Sequence, residues 1–290
     1  MVEIFVRDIP DKFNIEKTQL NITIVKELVN TLRVNGYLVI KQQKAVFEEE
    51  IFLKLWKIFE DLLNIFDPNY NRQEDFRTFF QYLLKAVVNN EKINFFALFC
   101  PGYTKHGYKD YVGETTRWKL KRLKDIKELL DKYSIETSII SYYSDAFLEN
   151  TNDKLEPNWR EQLAFNRRLF HLEGEKYFNK EEVRNVAELE IFSGPESVSG
   201  FIDKHEVDKV NPRTYYAFKK SNEKFYTKLG FTEEEMSIRN DRLITMYRIL
   251  SNYLNAQQNM VFLPMENMYE RENIFSENGT CTMYLWLKGE

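Results

Sequence analysis

The chain has 290 residues, a formal net charge of -4, 43% apolar residues and 15% aromatic residues. That is enough apolar material for one large domain or two modest ones, and it argues against intrinsic disorder. The acidic balance excludes a global field that draws in nucleic acid, and no apolar run of the roughly 18 residues a membrane span needs is present.

In chain order, VEIFVR (2–7) predicts a short strand and 20–34 a helix that Gly36 stops. GYLVIKQQ predicts a strand. From Ala45 to Phe66 the apolar positions Phe47, Ile51, Leu55, Ile58, Leu62 and Ile65 recur every three or four residues, which predicts an amphipathic helix ended by Asp67-Pro68. Phe76 to Val88 repeats the pattern. INFFALFC is short and continuously apolar, the mark of a strand covered on both faces. Residues 116–133 predict a helix, and IETSIISYYSDAF predicts a second strand that ends near Asp145. Strand, helix and strand in about fifty residues make a right-handed βαβ unit. Residues 157–172, 180–190, 212–229 and 233–256 predict helices, and 261–264 and 282–288 predict late strands. The expected architecture is a single α/β domain over 1–290. A mainly helical section (1–90) precedes a core (91–290) whose mostly parallel sheet is flanked by helices.

The two cysteines, Cys100 and Cys281, form no CxxC pair and show no spacing to histidine, so buried reduced thiols and a cytoplasmic setting are expected. MVEIFVRDIPDKF carries early acids and no apolar core, unlike a signal peptide. His171 and His205 lack mutual ligand spacing, so no metal is expected. No GxGxxG or GxxxxGK[ST] run occurs, and no cofactor is expected.

Ligands of open α/β sheets bind beyond the carboxyl ends of the strands. The segment from Cys100 to Glu114 is expected there. It carries Gly102, Tyr103 and His106, and the helix after it opens with Thr115, Thr116 and Arg117. Free N–H groups, two hydroxyls and a guanidinium suit an anion. The alternative is a solvated loop with Thr115 or Thr116 as helix N-cap. The cations of 116–133 are either a solvated basic face or a patch for RNA phosphates. His106 is a candidate general base at neutral pH, or else a surface histidine. Asp145, at the second strand's end, is a candidate for holding an amine or hydroxyl, or else a cap, and Tyr143 is its neighbour on the strand. Farther on, Arg239, Arg242 and Tyr247 share a helix, and Glu266, Tyr269, Glu270 and Arg271 crowd one short loop. Such density suits acid/base work or amine recognition, with a solvated charged loop as the plain alternative.

LFCPGYTKHGYKDYVGETTRWKLKRL and IISYYSDAF resemble the isocyanide synthases, in which a strand runs into a proline-containing loop, then a glycine, a helix and a second strand closing in Ser-Asp. Ala146 stands where that family has glycine. The resemblance implies a Rossmann-like core, with Cys100 to Arg117 and Ser144-Asp145 around the ligand. It further implies an enzyme that joins a free amino acid to a carbon drawn from a sugar phosphate. The chain is also similar in order to the cyclodipeptide synthases, which carry a basic helix for transfer RNA and a late helix with a catalytic tyrosine and glutamate. That likeness implies tRNA on helix 116–133, a catalytic role for Tyr247, and Cys100 in place of the family's serine. The leading expectation is an enzyme acting on an amino acid or its activated form. In it His106, Asp145, Tyr247 and Glu270 do the chemistry. Cys100, Gly102, Tyr103, Thr115, Thr116, Arg117, Tyr143, Arg239, Arg242, Glu266, Tyr269 and Arg271 bind substrate. The alternatives are tRNA-dependent acyl transfer and a non-catalytic binding module for a small molecule or a protein.

Overall fold

A computed structural model of the chain describes residues 19–36, 38–41, 44–47, 49–63, 65–66, 71–99, 113–145, 159–192, 210–228, 230–265 and 274–285. Two compact units are present: Met1–Ile93 with Ile126–Ser138 and Met283–Glu290, and Asn94–Asp125 with Ile139–Thr282.

In the first unit, α1 (Gln19–Val34) leads into the strands β1 (Leu38–Lys41) and β2 (Lys44–Phe47), and then into α2 (Glu49–Leu63) and α3 (Gln73–Asn89). The helix expected from Ala45 thus starts at Glu49. Residues 44–47 instead pair antiparallel with β1, Val46 opposite Val39 and Phe47 opposite Leu38. Helical spacing read across the junction had absorbed a strand whose partner lies only a few residues upstream. Phe59 of α2 meets Phe80 of α3 edge-on at 4.8 Å, and Phe66, past the end of α2, meets Phe79 of α3 edge-on at 5.5 Å. The predicted strand 2–7 lies outside the described residues.

Five parallel strands follow: β3 (Ile93–Phe99), β4 (Thr137–Tyr143), β5 (Val183–Asn185), β6 (Met260–Pro264) and β7 (Cys281–Thr282), ordered β5-β4-β3-β6-β7. Their connections carry α4 (Glu114–Lys132), α5 (Trp159–Gly174), α6 (Pro212–Lys228) and α7 (Glu233–Asn255). The chain builds outward from β3 to β5, returns past β3, and builds outward the other way. This is the doubly wound, Rossmann-like α/β order, and its reversal falls between β3 and β6.

Both sheet faces are covered, as the INFFALF run requires. Phe96, Leu98, Tyr142 and Phe262 join Leu243, Ile244, Tyr247 and Leu250 of α7 in one core. The alternate side chains face α5, where Phe170 lies 5.1 Å from Phe99 and 5.5 Å from Tyr143. Period two therefore places β3 and β4 residues against different helices.

Two expectations change here. Residues 180–190 are not one helix. A capping box from Asn179 to Glu182 opens a single 3-10 turn, and Val183 to Asn185 then pair with Ser141 to Tyr143 as an edge strand. The last strand among the described residues is Cys281–Thr282, and it ends before Met283. Leu285 makes an isolated antiparallel bridge to Phe66 instead.

Candidate functional site at the carboxyl edge of the parallel sheet

The carboxyl edge is assembled by main-chain bonds that run one residue past each strand. The Ser144 N–H donates to Phe99 O at 2.9 Å, and the Met265 N–H donates to Leu98 O at 3.0 Å. These bonds hold the exits of β4, β3 and β6 side by side. Helix α4 starts at Glu114, and the Arg117 N–H donates to Gly113 O at 3.2 Å. Gly113 therefore occupies the cap position, and Thr115 and Thr116 lie inside the first turn rather than capping it. Thr115 is exposed and Thr116 is buried.

Charge is buried at this edge. Lys119 is 8% exposed, and its ammonium group donates to the main-chain oxygen of Met265, just past β6. Lys119 lies on the buried stripe between Thr116 and Leu123, where the sequence does not separate an inward-facing cation from the solvated basic face. Asp145 is fully buried. Its Oδ1 accepts the Ala187 N–H at 3.0 Å, and its Oδ2 lies 2.8 Å from Arg167 Nη2. A buried carboxylate persists only with such charged and hydrogen-bonding partners.

Helix α5 supplies more. Its buried stripe is Leu163, Asn166, Phe170 and Glu173, so two polar side chains interrupt an apolar face. Glu173 accepts Lys176 Nζ at 2.7 Å and lies 3.4 Å from Arg117 Nε. The guanidinium expected to hold an anion thus already faces a carboxylate of the protein. Asn166 is fully buried, and neither its Nδ2 nor its Oδ1 has a hydrogen-bond partner among the described residues. Ser144 Oγ is in the same condition.

The remaining expected residues are placed as follows. Tyr143 is fully buried against Phe170. Tyr247 is fully buried in the α7 core, its ring 5.9 Å from Phe275 and 6.4 Å from Phe218. Arg239 is buried with its guanidinium 4.1 Å over the Phe231 ring, and Arg242 is half-buried two turns on from Glu235. Cys100, Gly102, Tyr103, His106, Glu266, Tyr269, Glu270 and Arg271 lie outside the described residues. The structure thus brings Asp145 together with Arg167 and Ala187, while Asn166 directly precedes Arg167 on α5 and Ser144 directly precedes Asp145 past β4. Lys119, Asn166 and Arg167 were not singled out as site residues from sequence.

On the opposite sheet face, Tyr142 stacks on Phe96 at 4.1 Å, and burial pushes its phenol up to about 12. Nothing in that position favours proton transfer near neutral pH. Among the described residues no group of histidine, cysteine, aspartate and glutamate side chains is arranged to hold a metal ion. Also among them, no helix is long and apolar enough to cross a membrane.

No protein-family model matches this sequence, and no curated protein matches it. Among solved structures, the crystal structure of the PvcA protein from Pseudomonas aeruginosa is similar at a TM-score of 0.40. The identity is 12%, over 80% of this chain and 83% of that chain. At that overlap the fold assignment rests on this chain's own strand order and parallel registers.

Proposed function

We propose that the carboxyl edge of the parallel sheet is the active site of a biosynthetic enzyme acting on an amino acid or its activated form. The observation that carries this reading is a buried polar set at that edge, Lys119, Ser144, Asp145 and Asn166, beside the reversal of strand order between β3 and β6. Open α/β sheets take their ligands there because two crossover connections leave the reversal in opposite directions and open a crevice. Lys119 supplies a cation for an anionic group of a co-substrate, and Asp145 an acceptor for an amine. The resemblance of IISYYSDAF and the segment after β3 to the isocyanide synthases supports condensation with an anionic co-substrate as the reaction class.

The test is thermal stabilisation of the purified chain by free amino acids, by sugar phosphates and by aminoacyl-tRNA, each at several salt concentrations. A shift of several degrees with an amino acid, enlarged by a sugar phosphate, is the expected result. A shift by aminoacyl-tRNA alone that collapses with salt would replace this reading with RNA-dependent acyl transfer. No shift with any of the three would leave a binding module for some other ligand.

A further inference from the structure

Asn166 is a fully buried amide with neither polar atom bonded among the described residues. A buried amide without partners carries the full cost of its lost hydration, so native structures rarely leave both its atoms unbonded. Its position follows from its neighbours on α5. Phe170, one turn later on the same stripe, touches the last residues of β3 and β4, Phe99 and Tyr143. Arg167, the next residue, reaches Asp145 just beyond β4. Four helical residues rise about 6 Å, which carries Asn166 from the strand ends to the space over the carboxyl edge. Ser144 leaves β4 at the same edge, its main chain tied to Phe99 and its hydroxyl without a partner among the described residues.

We infer that Asn166 is the residue that recognises the substrate's amino-acid backbone, with Ser144 as its companion. This rests on the reading of the edge as an amino-acid site. A carboxamide presents one acceptor and two donors on a rigid plane. Its Oδ1 accepts from the α-ammonium group while its Nδ2 donates to the α-carboxylate, so one side chain bridges both groups of a free α-amino acid. The Ser144 hydroxyl, which donates or accepts, completes the shell. A bound amino acid satisfies the amide that the described residues leave without a partner, so binding offsets its desolvation. Both backbone groups are required, and an N-acetyl amino acid or an amino-acid amide fills only half of the pattern.

The experiment compares wild type with Asn166→Leu and Ser144→Ala, measuring melting temperature without ligand and the shift given by the twenty free L-amino acids, their N-acetyl forms and their amides. The expected result has three parts. Ligand-free Asn166→Leu melts at or above wild type, because a bare amide has been removed. Its affinity for the amino acid that stabilises wild type falls about tenfold or more. Ser144→Ala folds as wild type and binds that amino acid more weakly, and the N-acetyl and amide forms shift neither. Two results would overturn the inference alone: an amino-acid shift fully retained in both variants, or ligand-free Asn166→Leu several degrees less stable, which would mean that internal water already satisfies the amide. Wild type unmoved by every amino acid would instead remove the proposed function, and the ligand assigned to Asn166 with it.

Discussion

Asp145 shows how much one side chain depends on its surroundings. It has no exposure, and its charge is tolerable only because Arg167 and the Ala187 N–H meet its two oxygens. Asp145→Asn keeps the shape and removes the charge, leaving Arg167 without its anion. The expected outcome is a loss of about 1–3 kcal/mol of stability, read by urea denaturation, and a loss of amino-acid binding. Glu27 is another buried carboxylate, and its partners are those of a structural ion pair. Burial alone would push its carboxyl up. Hydrogen bonds from Arg77 and Gln73, with the Arg77 charge, outweigh burial and hold it below the ordinary range. A depressed carboxylate stabilises the fold above its unfolded value and loses that contribution as pH falls through its folded one. Urea midpoints are therefore expected to hold down to about pH 5 and to fall below the usual glutamate range near 4.3, with the fall blunted in Arg77→Ala. Tyr142 works in the other direction. Its phenol, pushed up by burial, stays neutral in the fold after the unfolded chain has ionised. Stability is expected to drop between pH 10 and 12, by an amount on the order of 2 kcal/mol, and Tyr142→Phe removes that dependence.

At the scale of elements, the meeting of α5 with β5 is the tightest test. A Cβ on Gly174 would lie 2.8 Å from Val183 Cγ1 and 2.9 Å from Cγ2, closer than side chains pack. Gly174→Ala is expected to cost about 1–3 kcal/mol, and Val183→Ala in the same chain to return part of it, measured as non-additivity in a double-mutant cycle. Additive costs would show that the helix and strand simply move apart. Helix α7 begins on firmer terms. Thr232 accepts the Glu235 N–H while the Glu235 carboxylate accepts the Thr232 N–H, a reciprocal capping box. The box was legible as TEEE ahead of an apolar stripe. The failed helix at 180–190 carries a similar signal, since Asn179 and Glu182 also form a box. A cap announces where a helix starts, and only pairing with β4 decides that it lasts one turn.

Across the whole molecule, the acidic net charge of -4 sets the expectation for nucleic acid. The cations of α4 are largely drawn inward or paired: Lys119 to Met265, Arg117 to Glu173, Arg122 to Trp118 and Asp125, and Lys132 to Asp61. Transfer RNA is therefore expected to bind weakly at about 0.15 M salt, where screening reaches within about 8 Å, and a filter-binding titration checks it. Tight retention there would favour the acyl-transfer alternative. The sequence by itself determined the parallel core. A continuously apolar INFFALF can only be satisfied between two covered faces, and period 3.6 marks α3, α4 and α7 because burial of one stripe is a local property of the chain. It also placed Asp145 at a strand exit. Tertiary structure alone decided the strand order, and with it the reversal beside β3. It also decided that Lys119 and Asn166, each an ordinary polar residue on an amphipathic helix, turn toward the sheet edge. Such a decision is invisible in one dimension because what surrounds those groups comes from segments distant in sequence, Met265 lying 146 residues from Lys119.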